Sequence, residues 1–176
     1  MNRSVRTAAL LVSVVVVAFS VLLVTRHPVS EATSTPSPLL GKVAPVLKGR
    51  ELGGGAFDLN RHRGQVVVVN FWASWCVPCQ QEAPELSTFA WQERHRGVVL
   101  IGVVFNDTLS AALAFQRHYG SLYRSLIDPG GTMANRYGVS APPTTFVISP
   151  EGRVLVELIG PVNAQQLESV VRRVQT

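Results

Sequence analysis

The chain has 176 residues and a formal net charge of +5, and Arg3, Arg6 and Arg26 supply three of its sixteen basic side chains. The others are scattered, with no run and no interleaved aromatics. That excludes a nucleic-acid surface and leaves only a mild preference for anionic lipid or an acidic partner. There are two cysteines, three positions apart. A bridge enclosing so short a loop is a poor structural staple, so reactivity explains the pair better than stability does.

The segment Thr7 to Val24 is eighteen residues without a charge. A helix of that length just crosses a hydrocarbon core of about 30 Å. Arg3 and Arg6 precede it, which predicts an N-terminus in the cytoplasm and the remainder outside. The run is longer than an ordinary signal h-region, which favours an uncleaved signal anchor, residues 1–25, over a cleaved leader and a secreted protein. From 26 to 40 the composition turns to Pro, Ser, Thr and Glu, the make-up of a tether. Residues 41–176 suffice for one domain and not two.

Within that domain two short extended pieces, Val46 to Leu52 and Ala56 to Leu59, are joined by Gly53-Gly54-Gly55. No Gly-Lys-Ser/Thr follows, so this is a turn and not a phosphate loop. His62, in the polar bend Asn60 to Gln65, reads as a solvated loop residue. Val66 to Phe71 is a β-branched run suited to a strand covered on both faces. An amphipathic helix follows from Gln80 to about Arg94, with Ala83, Leu86, Phe89 and Ala90 inward and a kink expected at Pro84.

Val98 to Phe105 is a second buried strand. Asn106-Asp107-Thr108 offers caps for a helix over Leu109 to Tyr119, stopped by Gly120. Tyr123 to Ile127 is a third strand, followed by a short helix from Thr132 to Tyr137. Thr144 to Ser149 is a fourth, and Pro150-Glu151-Gly152 turns it into Arg153 to Ile159. Asn163 caps a last helix whose apolar face is Leu167, Val170, Val171 and Val174. The pattern predicts an α/β fold, a mixed sheet flanked by helices.

Cys76 and Cys79 fall where the first strand ends and the helix begins. Unpaired N–H groups and the positive end of the helix dipole favour a thiolate there, the species disulfide exchange requires. A Cys-x-x-Cys at such a junction suggests a thioredoxin-like fold. Zinc would need two more ligands, and there is no second cysteine pair and no close histidine pair. No metal and no cofactor is therefore expected.

The stretch Phe71-Trp72-Ala73-Ser74-Trp75-Cys76-Val77-Pro78-Cys79, extended by Glu82, Pro84 and Leu86, resembles the TlpA/ResA/CcmG (DsbE) branch of the thioredoxin superfamily. Gly138-Val139, Pro143-Thr144-Thr145-Phe146-Val147-Ile148 and Pro150-Glu151-Gly152-Arg153 agree with it. The resemblance implies a membrane-anchored, extracytoplasmic, monomeric thiol–disulfide oxidoreductase with a redox-active Cys76–Cys79 disulfide. In it Cys76 is the exposed nucleophile, Cys79 the buried resolving thiol, Glu82 the proton acceptor and Pro143 the cis-proline facing the disulfide. Asn70 stands where thioredoxin has an aspartate, which makes Glu82 the more necessary.

Trp75, Val77, Pro78 and Pro142 would border the substrate groove, with Pro142 lacking the N–H that this position ordinarily offers a substrate. Trp72 reads as core. The implied partners are exported proteins with cysteine pairs, apocytochrome c among them, and a membrane thiol that supplies electrons. A disulfide-forming oxidant is the alternative within the fold. A thiol peroxidase would need Pro and Thr or Ser where Val69 and Ala73 stand, and a metal-binding chaperone would use Cys76 and Cys79 as ligands.

Overall fold

Val66–Trp72 (β4) is buried along its whole length. Its β-branched residues have no face suited to water, so it lies in the middle of a sheet with helices on both sides. The computed structural model describes residues 12–18, 33–34 and 37–175. The chain divides into Met1–Ser30 and Glu31–Thr176. In the first unit residues 12–18 form a helical stretch, α1. The rest of the run from Thr7 to Val24 lies outside the described residues. Among those described, no helix is long and apolar enough to cross a membrane.

The second unit contains β1 (Thr33–Ser34), β2 (Lys48–Arg50), β3 (Ala56–Asp58), β4, α2 (Val77–Glu93), β5 (Val98–Val104), α3 (Leu109–Tyr119), β6 (Arg124–Ile127), α4 (Thr132–Tyr137), β7 (Thr144–Ile148), β8 (Val154–Ile159) and α5 (Ala164–Gln175). The main sheet runs β1-β8-β7-β4-β5-β6. β4, β5 and β6 are parallel, and β7, β8 and β1 join antiparallel. β2 and β3 form a separate hairpin, Lys48 opposite Asp58. The expected mixed α/β sheet is therefore present, and β1 adds a short edge strand from within the stretch read as a tether.

Side chains alternate across β4 and divide the core. Val67, Val69 and Phe71 pack with Ile101, Val103, Leu126 and Phe146 beneath α4 and the β2–β3 hairpin. Val66 and Val68 pack with Leu86 and Phe89 of α2 and with Leu167, Val170 and Val171 of α5. Each such side chain contributes about 1.5–3 kcal/mol of transfer free energy. Asn70 is on the α2 side by the same alternation.

Helix ends follow local chemistry. The Thr108 hydroxyl accepts from Ala111 N and Gly120 closes α3 in the left-handed region, and Asn163 Oδ1 accepts from Gln166 N at 2.8 Å to start α5. α2 begins at Val77 instead of Gln80, because Pro78 is compatible with a first turn; Pro84 lies inside α2 and does not end it. His62 differs from expectation. Its ring stacks on Phe57 at 4.7 Å and Nδ1 bonds Gln65 Oε1 at 2.8 Å, because the turn after β3 folds back over the hairpin.

Candidate active site

β4 runs out at Trp72, and the loop after β5 holds the turn that follows. Ser74 N donates to Asp107 Oδ2 at 2.7 Å, Trp75 Nε1 donates to the Asn106 carbonyl at 3.2 Å, and Gln80 Nε2 reaches back to the Ser74 carbonyl at 3.0 Å. Cys76 N donates to the Ala73 carbonyl at 3.2 Å. The turn is thus pinned from a neighbouring strand and from the helix it leads into. Trp72 is core as expected, stacked on Phe115 at 4.6 Å with Nε1 donating to Ser125 Oγ at 3.1 Å.

Cys76 is the N-cap of α2, and its sulfur accepts the Cys79 N–H at 3.1 Å. Cys76 and Cys79 are joined in a disulfide, S–S 2.03 Å. An N-terminal donor aimed at this sulfur stabilises negative charge on it once the bond opens. Cys76 is only 4% exposed and Cys79 1%. The expectation of an openly exposed nucleophile is corrected to this extent: Cys76 is the more accessible of the two, but it sits in an apolar nest with Leu52, Trp72 and Ala83. What rises into solvent beside it is Trp75 at 55% and Val77 at 59%. Pro78 is half-buried.

Glu82, on the inner face of α2, is buried at 2% exposure. Asn70 Nδ2 donates to its Oε1 at 2.9 Å and Val162 N to its Oε2 at 3.0 Å. Burial pushes the carboxyl from its ordinary 4.5 up to about 7, against the pull of those two hydrogen bonds. A carboxyl that titrates near neutrality can take up or release a proton in the cellular range. Neither of its oxygens is hydrogen-bonded to a cysteine sulfur; both are held by Asn70 and Val162. Asn70 Nδ2 also donates to Thr145 Oγ1 at 3.0 Å, whereas its buried Oδ1 has no hydrogen-bond partner among the described residues.

The Pro142–Pro143 peptide is cis. Phe71 is opposite Thr144 in the β4–β7 register, so Pro143 falls beside the end of β4, where the chain turns toward Cys76. The structure therefore gathers Cys76, Cys79, Trp75, Val77, Pro78, Pro142 and Pro143 at one end of the sheet, with Glu82 on the buried face of the same helix. Sequence reasoning gave no site role to Thr145, Val162, Asn106 or Asp107. Asn106 and Asp107 were visible only as cap candidates and Thr145 only within the cis-proline stretch, and the Val162 N–H carries no side-chain signal at all.

A redox-active pair at the start of a helix on a thioredoxin-like sheet defines a thiol–disulfide oxidoreductase. The comparisons with known proteins give the same class: residues 40–156 match the model of the AhpC/TSA family. The chain is 37% identical over 136 residues to the thiol:disulfide interchange protein HelX of Rhodobacter capsulatus, covering 76% of this chain and 75% of that one. It is 32% identical over 135 residues to the thiol-disulfide oxidoreductase ResA of Bacillus thuringiensis, covering 77% and 78%. A solved structure, the candidate thiol:disulfide interchange protein DsbE of Chlorobium tepidum, superposes with a TM-score of 0.72 at 28% identity, covering 78% of this chain and 98% of that one. The chain belongs to the AhpC/TSA family, and its likeness to ResA and DsbE proteins is the one the Trp75-to-Leu86 motif implied.

Proposed function

We propose that this oxidoreductase is held to the cytoplasmic membrane by residues 1–25, tethered through 26–40, and works with its 41–176 domain on the outer side. There it reduces disulfides in exported proteins, those in the Cys-x-x-Cys-His sites of apocytochrome c first among them, with electrons from a membrane thiol carrier. The observation that carries the chemistry is the Cys76–Cys79 pair capping α2, its outer sulfur already accepting a helix N–H.

The Cys76 thiolate attacks a substrate disulfide, forms a mixed disulfide and releases one substrate thiolate. Cys79 loses its proton to the Glu82 carboxylate and attacks the Cys76 sulfur. That step expels the second substrate thiolate and restores the Cys76–Cys79 bond. Two electrons pass from the pair to the substrate, and the carrier thiol later returns them. Pro143 and Pro142 form the wall opposite Cys76, and Trp75, Val77 and Pro78 the apolar rim.

The reduction potential of the purified domain separates reductant from oxidant. A value near about −270 mV, as in thioredoxin, supports the proposal, and one near about −120 mV makes the protein a disulfide-forming oxidant. A peroxidase reading gains nothing from the site, because Val69 and Ala73 are buried apolar side chains that bring no hydroxyl to Cys76.

A further inference from the structure

The segment that leads from β8 into α5 touches the site three times, each time through its backbone. Gly160 begins it with φ of 100°, a region that L side chains rarely adopt. Its N–H donates to the Pro143 carbonyl at 3.0 Å. Pro161 follows and has no N–H to offer. Val162 N then donates to Glu82 Oε2 at 3.0 Å, and Ala164 N to Glu85 Oε2 at 3.1 Å. Val162 and Ala164 are buried. Glu82 and Glu85 are neighbours on the helix surface at i, i+3 spacing. One short run of main chain thus ties the loop that carries Pro143 to two carboxylates of α2, through alternate N–H groups.

We infer that Val162 is a positioning residue for the resolving step: its main-chain N–H, seated by the bonds at Gly160 and Ala164, holds Glu82 as the carboxylate that takes the Cys79 proton. The inference rests on the oxidoreductase reading above. A carboxyl exposed at 2% has no water shell to carry its charge, so fixed donors must replace the water. Asn70 Nδ2 is one such donor, at 2.9 Å. Val162 N is the other, and it opposes the effect of burial more strongly than Asn70 does. The remaining groups supply no positive charge. Glu85 is itself acidic and bonds Ala164 N, and burial keeps Tyr123 protonated. In the resolving step the Cys79 proton passes to Glu82 and the Cys79 sulfur bonds to Cys76 Sγ. The substrate sulfur leaves with the electron pair of the mixed disulfide. Without the Val162 donor Glu82 already holds a proton near neutrality, and that step loses its acceptor.

Two measurements on the full-length protein in detergent micelles test this. In the first, the hydroxy acid analogue of valine is incorporated at position 162, so that an ester replaces the amide and the N–H is deleted while the side chain stays. The reduced protein is mixed with dithiobis(nitrobenzoate), an aromatic disulfide that releases one thiolate to Cys76 attack and the second to Cys79. A hydrogen bond to a charged group shifts a titration by about one to two pH units. At about pH 7 the ester should therefore slow the second release about five- to fiftyfold relative to the first, and move its pH profile upward. In Glu82→Gln the same ester should change nothing further. Equal slowing of both releases, an unmoved profile, or the same slowing in Glu82→Gln overturns the inference. The second measurement leaves the backbone intact. With the Cys76–Cys79 disulfide closed, the Val162 amide proton resonance should shift as pH passes through about 7, and stay still in Glu82→Gln. A resonance that does not shift, or that shifts in both proteins, overturns the inference as well. A folded wild-type protein that releases no thiolate at all would instead remove the oxidoreductase reading beneath it.

Discussion

Glu82→Gln isolates the titration of the carboxyl that α2 buries against Asn70 and Val162. In the folded chain Glu82 titrates at about 7 against an ordinary 4.5. Between those values the native state holds a proton that the unfolded state has released. Its contribution is therefore fully present below about pH 4.5 and is lost as pH rises through about 7. One pH unit corresponds to about 1.4 kcal/mol, so the interval amounts to about 3 kcal/mol in all. Glutamine does not titrate.

The assay is denaturant unfolding of both proteins from pH 4 to 9, with the Cys76–Cys79 disulfide kept oxidised so that no thiol titrates. The quantity to plot is wild-type stability minus that of Glu82→Gln, in which the histidines cancel. That difference should fall through the window and flatten above it. A flat difference, or one that rises with pH, would refute the assignment of a raised pKa to Glu82.

Asn70→Asp replaces the donor to Glu82 Oε1, now at 2.9 Å, with a second carboxylate. The pair should keep one proton to higher pH, seen as a carboxyl band in infrared titration, and stability at pH 8 should fall by about 1–3 kcal/mol. Gly102→Ala tests the packing behind the site. A Cβ there would sit 2.6 Å from Trp72 Nε1 and closer still to Ser125 Oγ. The substitution should cost about 1–3 kcal/mol in denaturant unfolding and shift the Trp72 emission. An unchanged spectrum and stability would mean that the indole is not held as described.

Strands and helices were legible where periodicity and capping residues coincide, as in Val66 to Phe71, Thr108 before α3 and Asn163 before α5. The redox pair was legible because two cysteines at a strand-to-helix junction, too close to staple a loop and lacking further metal ligands, are suited to little besides thiol exchange. What could not be read locally depends on distant backbone. Cys76 is nearly covered because Leu52 and Ala83 close around it, and no feature of its own neighbourhood announces that. Glu82 was singled out, but its raised pKa needs burial under α2, and its second oxygen is held by Val162, eighty positions away. The missing N–H of Pro142 is written in the sequence, whereas the bonds that Thr144 and Gly160 make to the carbonyls on either side belong to the fold.

The central claim is that Cys76 attacks and Cys79 resolves. It is tested most directly by expressing the full-length Cys79→Ala protein in its native membrane, quenching thiols with acid, and identifying mixed disulfides by mass spectrometry. The account predicts covalent adducts through Cys76 with exported cysteine-pair proteins, absent when Cys76 is also replaced. No adducts, or adducts that form as readily through Cys79 in a Cys76→Ala protein, would contradict it.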